Sequence, residues 1–214
     1  MPSTPQISVI MPVHNFGHLL KESIDSVLVQ SMPDFELIIV NDGSTDNSSE
    51  IARSFLDRRI KVIDFSENRG CYPARNAGMI AATGKYFCVM DADDVCLPER
   101  LEKQYIFMEE NSDLGLIGGA YIIMNSNNFV FRESEYDIIK LMMLTFCYLH
   151  HPTCMVRSCL IEKYDLYYDE SYTYASDYNW QVRASSLFTV SNINEPVLLY
   201  RRHFQQISSN KSVE

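Results

Sequence analysis

No apolar run in this chain reaches the length of a membrane span. The longest mixed stretch, Ile138 to Leu149, is interrupted by Lys140 and Thr145 and predicts a core helix. The start, Met1-Pro2-Ser3-Thr4-Pro5-Gln6, has neither a basic segment nor a long apolar one, so no secretory signal is read there. Basic clusters are missing too. Arg58-Arg59 and Arg201-Arg202 are only pairs, and the net charge is −10. This argues against a nucleic-acid binder held by a basic face, but leaves room for a nucleotide whose phosphates meet a metal. The six cysteines include no Cys-x-x-Cys. With no signal peptide, they predict reduced thiols and a cytoplasmic protein. Asn47-Ser48-Ser49 and Asn210-Lys211-Ser212 match glycosylation acceptors and mean little without secretion. No Gly-x-Gly-x-x-Gly follows the first apolar run, so that dinucleotide fingerprint is unsupported.

What is present is a globular composition, 46% hydrophobic and 21% charged over 214 residues, enough for one sizeable core. The most informative stretch is Tyr86 to Asp94, where a short apolar run ends in Asp91, Asp93 and Asp94. Ionised carboxylates this close repel one another unless a cation sits among them. Hard oxygen ligands favour Mg²⁺ or Mn²⁺, and such an ion holds a diphosphate. An isolated Asp-x-Asp is more often a solvated turn capping a helix, so the rest of the chain has to decide.

The first half alternates between two kinds of segment. Ile7–Pro12, Phe35–Val40, Ile60–Phe65 and Tyr86–Met90 read as strands. Helices are expected over His18–Gln30, around Ile51 to Phe55, over Pro73–Ala82, and from a first turn at Pro98 to about Glu110. This order predicts an α/β fold with a mostly parallel central sheet flanked by helices. Ligands bind such sheets at the carboxyl ends of the strands. Pro12 to Asn15, Asn41-Asp42 and Asp91 to Asp94 all stand at such ends. The second half is less regular: strands are expected at Leu114–Met124, Thr153–Val156 and Val197–Arg201, and a helix at Tyr178–Ser185. Without a repeat or linker, residues 1–214 read as one domain.

Several motifs compete with bland readings. Gly78 to Tyr86 resembles a phosphate loop, but its spacing is one residue too long and Tyr86 replaces the Ser/Thr. Cys147, His150, His151 and Cys154 have zinc-like spacing, yet Cys147 falls in an apolar helix pattern and packing is the better reading. Asp42 is either a turn carboxylate or an acceptor for a base or ribose. His14 could stack on a base or be a loop histidine. Arg75 could pair a phosphate or one of the acids. Asp177 is either a helix cap or a functional carboxylate. His203 is either structural or part of a metal shell.

Taken together these pieces resemble the family-2 glycosyltransferases of GT-A fold, the nucleotide-diphospho-sugar transferase type. The likeness runs from Ile7 to about Ser208, through Ile7–Asn15, Phe35–Asp46, Glu67–Gly70, Ala74–Gly78, Ala82–Tyr86, Asp91–Asp94, Pro98–Leu101, Ser176–Tyr178 and Tyr200–His203. It implies inverting, metal-dependent sugar transfer from a nucleoside diphosphate sugar, UDP by default, to a glycan or lipid-linked acceptor, as in cell-surface polysaccharide synthesis. Residues up to about 110 would then form a nucleotide-binding half and the rest an acceptor half. By resemblance, Pro12, His14, Asn15 and Asp42 border the base, and Arg75 lies near the nucleotide. Asp93, with Asp91 or Asp94, serves ribose and metal; His203 completes the metal shell, and Asp177 is the base. His14 stands where the family often has Tyr, and Ser176 where it often has an acid. The Gln-x-x-Arg-Trp pattern of polymer-forming members is absent after Asp177, which implies addition of one or a few sugars. A nucleotidyltransferase would show a basic Gly-rich loop after the first strand, and Pro12 to Gly17 contains no Lys or Arg. A silent glycan-binding relative would not need the acids. The resemblance also leaves room for peripheral contact with the cytoplasmic membrane face.

Overall fold

The structure, a computed structural model, describes residues 4–126, 128–204 and 206. The acceptor pattern at Asn210 and the end of the resemblance at Ser208 lie outside them. A nine-stranded sheet runs in the order β3-β2-β1-β4-β8-β6-β9-β5, with β7 pairing β6. Strands β1 (Ile7–Val13) and β2 (Phe35–Asp42) are buried along their whole length, as parallel strands covered on both faces must be. β3 (Ile60–Phe65) is the edge and turns Lys61 and Asp64 outward. β4 (Tyr86–Val89) pairs parallel to β1 on its other side. Strand order therefore reverses between β1 and β4, which opens a crevice at their carboxyl ends. Helices α1 (Gly17–Leu28), α2 (Ser48–Ser54) and α3 (Cys71–Ala81) connect these strands.

The remaining elements are β5 (Val95–Cys96), α4 (Arg100–Glu110), β6 (Leu114–Ile123), β7 (Phe129–Val130), α5 (Tyr136–Met142), a 3-10 turn at His151–Thr153, β8 (Met155–Arg157), α6 (Ser158–Tyr164), α7 (Ser176–Leu187) and β9 (Thr189–Tyr200). The long pairings, β1–β2, β2–β3 and β6–β9, are parallel, and the antiparallel ones are short, so the sheet is mostly parallel. Gly118 and Gly119 sit inside β6 where β9 comes close. A Cβ on Gly119 would lie 2.7 Å from Val197.

Three expectations need correction. Ile138 to Leu149 is not a core helix. Helix α5 stops at Met142, only Ile139 of it is buried, and Leu141 and Leu144 are 64% and 76% exposed. Ile139, Met142, Met143 and Phe146 keep a helical spacing, but Ile138, Leu141 and Leu144 fall off that face, so a helix over the whole run would leave them in water. Pro98 is not in the first turn of its helix. Glu99 caps α4, while the Pro98 carbonyl accepts the Ser31 N–H. The final strand begins eight residues earlier than expected, at Thr189 rather than Val197, because its polar first half pairs with β6.

Candidate functional site

The chain leaves β4 through buried Met90 into the acid turn, where the Asp94 N–H donates to the Asp91 carbonyl at 3.3 Å. One carboxylate oxygen from each of Asp91, Asp93 and Asp94 lies within 4.8 Å of the others. Asp94 is wholly buried. One of its oxygens accepts the Arg201 N–H at 2.9 Å, and the other has no partner. Asp93 meets His203 Nε2 at 2.8 Å. Asp91 is ion-paired with Arg75. Burial, reinforced by the neighbouring carboxylates, pushes Asp94 well above the usual carboxylate range. Burial and the Asp91 charge likewise raise Asp93, against the pull of His203. An orphaned buried oxygen, a purely hard donor set and mutual repulsion fit a divalent cation such as Mg²⁺ or Mn²⁺. The sequence led to these acids and to His203, and the fold brings them together.

Residues that the sequence reading left without a role hold this turn. Ser23 of α1 shares its hydroxyl proton between the carbonyls of Ala92 at 2.8 Å and Asp94 at 2.7 Å. Further along α1, Ser26 accepts the Cys96 N–H, and Gln30, just past the end of the helix, bonds the Leu97 carbonyl and the Leu101 N–H. Polar residues on the buried face of an otherwise apolar helix were the available signal. Arg201 donates through Nε to the Asp93 carbonyl at 2.8 Å and pairs with Glu22. Arg100, fully buried, donates to the Val89 and Pro152 carbonyls at 2.7 and 2.8 Å and so braces the strand beneath the acids.

Pro12, buried in β1 opposite Val40, leads into the second part of the crevice. His14 Nδ1 lies 2.7 Å from the Asp42 carbonyl, which can only accept, so Nδ1 carries the proton. The free lone pair on Nε2 then receives the Asn15 amide at 3.1 Å. Asn15, at φ 59°, also accepts the Thr45 N–H at 2.8 Å and fastens this loop to the one after β2. Asp42 accepts the N–H groups of Arg69 at 2.7 Å and Gly70 at 2.8 Å, one on each carboxylate oxygen. Gly43, at φ +60°, is required because a Cβ would sit 2.3 Å from the Glu67 carbonyl carbon. Asp42 and Asn15 therefore build the loops that border the crevice, whatever else they touch.

Asp177 lies in the first turn of α7 and is not the cap. The cap is Ala175, in the left-handed region at φ 62°, with no side-chain bond to the helix. Ser176 turns its hydroxyl to the Asp169 carbonyl at 2.9 Å. Asp177, half-buried, accepts the Tyr178 N–H at 2.9 Å, and a carboxylate in this first turn is favoured by the helix dipole. Its charge acts on Arg75, Tyr72 and Tyr168, and the Asp91 charge also acts on Arg75. One buried guanidinium thereby feels both the acid turn and Asp177.

The zinc-like set does not converge among the described residues. His150 stacks on Tyr121 at 3.8 Å, and His151 bonds the Tyr168 hydroxyl at 2.8 Å. Burial pushes both imidazoles down to about 3. All six cysteines are free thiols. Among the described residues, no helix is long and apolar enough to cross a membrane.

The family model described as glycosyl transferase family 2 matches residues 8–183. An uncharacterized glycosyltransferase of Haemophilus influenzae is 32% identical over 98% of this chain and 69% of its own. Another, from Methanocaldococcus jannaschii, is 33% identical over 92% of this chain and 71% of its own. Among solved structures, S. aureus TarS 1-349 in complex with UDP-GlcNAc superposes with a TM-score of 0.85 at 22% identity, over 97% of this chain and 62% of that 1-349 chain. The mannosyltransferase PcManGT from Pyrobaculum calidifontis, in complex with GDP-Man and Mn²⁺, gives 0.74 at 17% identity, over 97% of this chain and 59% of its own. The chain thus spans about three fifths of the length of these structural neighbours. A crevice at the β1/β4 reversal, an acid turn after β4 and a carboxylate on α7 occur here on a chain that belongs to glycosyl transferase family 2 and has the GT-A fold.

Proposed function

We propose that this chain transfers a sugar, with inversion, from a nucleoside diphosphate sugar to an acceptor hydroxyl. The observation that carries this reading is the acid turn, where Asp91, Asp93 and Asp94 converge and one buried Asp94 oxygen is unpartnered. UDP is the favoured carrier because the TarS neighbour was solved with UDP-GlcNAc. Asp93, with Asp91 or Asp94 and His203, would hold a divalent cation, which when bound would supply charge neutralisation for a departing diphosphate.

The chain's own groups do the rest. His14, its tautomer set by the Asp42 carbonyl, offers a flat ring beside the base. Asp42, Asn15 and Pro12 shape the wall around it. Asp177 takes the proton from the acceptor hydroxyl as that oxygen attacks the anomeric carbon, the single displacement that inverts the centre. Arg75 steadies Asp91 and keeps the crevice from becoming purely anionic.

The acceptor is a glycan or a lipid-linked saccharide, in the synthesis of a cell-surface polysaccharide or glycoconjugate. Leu141 and Leu144, exposed beside α7, support peripheral contact with a cytoplasmic membrane face. Thermal shift with a panel of nucleotide sugars, with and without Mn²⁺, tests the donor class. The anomeric configuration of the product tests inversion. Stabilisation by none of the panel, or retention at the anomeric carbon, refutes the reading.

A further inference from the structure

Arg75 and Asn76 are neighbours on α3, yet they serve opposite sides of the crevice. Arg75 pairs with Asp91 in the acid turn. Asn76, only 6% exposed, binds the main chain of Tyr168 at both ends of its amide. Its Nδ2 donates to the Tyr168 carbonyl at 2.9 Å, and its Oδ1 accepts the Tyr168 N–H at 2.9 Å. The same Nδ2 also donates to Glu170 Oε1 at 2.9 Å. A primary amide used this way replaces the strand partner that an irregular segment lacks.

The segment held by Asn76 is in turn fastened to α7. Trp180 Nε1 donates to the Leu166 carbonyl at 2.8 Å, Arg183 donates to the Tyr167 carbonyl, and the Ser176 hydroxyl donates to the Asp169 carbonyl at 2.9 Å. The Tyr168 ring stacks on Trp180 at 5.3 Å and on Tyr72 at 5.9 Å. Residues 166–170 therefore form a splint between α3 and the first turn of α7, which carries Asp177. Asn76 supplies the directional bonds on the α3 side of this splint. Aromatic stacking alone allows sliding, whereas paired hydrogen bonds to one residue's N–H and C=O set a register.

We infer that Asn76 is a positioning residue for sugar transfer, setting where Asp177 stands relative to the donor half of the crevice. It touches no reacting group. The inference rests on the proposed role of Asp177 as base. Only an amide meets all three partners. Asp at this position would lose both donors and set a carboxylate against Glu170, and Ala would leave the buried Tyr168 groups unpaired.

The test compares the wild-type chain with Asn76→Ala and Asp177→Asn. UDP affinity in Mn²⁺ is measured by calorimetry, and nucleotide release is followed from a panel of UDP-, GDP- and dTDP-sugars with water or simple glycosides as acceptors. Asn76→Ala is expected to lower kcat about 10- to 100-fold, the scale of a sub-ångström to 1 Å misplacement, with UDP affinity and donor KM unchanged. An unchanged kcat, or a loss confined to donor KM, overturns the inference while Asp177→Asn still abolishes turnover. Full turnover by Asp177→Asn, or no release by the wild type from any donor, overturns the base assignment and this inference with it. If Asn76→Ala does not fold, Ser176→Ala severs the other end of the splint at a single hydroxyl. It is expected to show the same kcat-only loss, and an unchanged kcat there is equally decisive against the inference.

Discussion

Arg75 and Asp91 form an ion pair whose cation is buried on α3 and whose anion borders the crevice. Burial works against the Arg75 charge, and the Asp91 carboxylate, together with Cys71, Tyr168 and Asp177, more than offsets it. The Arg75 guanidinium also lies over the Tyr168 ring, 5.9 Å from its centre. The pair thus joins the acid turn to the packing beneath α7.

Arg75→Met is expected to destabilise the chain by about 3 kcal/mol, the low end for breaking a buried pair. The low end applies because the Asp91 side chain is 28% exposed and can regain water. Adding Asp91→Leu is expected to recover much of the loss, since no uncompensated charge then remains. Denaturant melts of the two single variants and the double variant measure this, and a purely additive cycle would show that the pair carries no coupling.

Asp93→Ala is expected to remove metal-dependent nucleotide binding, because it deletes the carboxylate that His203 orients at 2.8 Å. Calorimetric titration of UDP with and without Mn²⁺ reads the effect. An Mn²⁺ response equal to wild type would dismiss Asp93 as a ligand.

Asp94→Asn is expected to stabilise the metal-free chain at neutral pH while weakening Mn²⁺ binding. The sign follows from linkage. Asp94 has a folded pKa well above its unfolded one, so between the two values the folded state holds the extra proton. Its contribution to stability is present below the unfolded pKa and is lost as pH rises through the folded pKa. The advantage of Asp94→Asn should therefore shrink as the pH is lowered, and thermal melts in chelator across that range will show whether it does.

Asp177→Asn is expected to keep UDP affinity and lose transfer by roughly 10²- to 10⁴-fold, the usual contribution of a positioned base. Asn preserves shape and the bond to the Tyr178 N–H, made now at 2.9 Å. Paired binding and turnover measurements separate the two effects, and normal turnover would remove Asp177 from the mechanism.

Much of the first half was legible because it lies in short, local patterns. Apolar runs that end in Pro12, Asp42 and Asp91 announce strands and their carboxyl ends together. The second half was harder to read. Ile138 to Leu149 has a helical composition, but the chain turns out of α5 after Met142 because the Tyr178 hydroxyl takes up the Met143 carbonyl across the fold. The first half of β9 is polar, and only its pairing with β6 makes it a strand. Asn76 and Arg201 carried no local signal of their roles, since each acts on main-chain groups distant in sequence.

The amino-acid order by itself determined the alternation of strands and helices, the family resemblance and the clustering of Asp91, Asp93 and Asp94, because periodicity and adjacency are local properties of a chain. Tertiary structure decided which oxygen of Asp94 is left unpartnered, that Arg75 joins Asp91, and that Asp177 is not the cap of its helix. Those outcomes depend on burial and on contacts across many tens of residues, where desolvation makes each pairing strong and each omission costly.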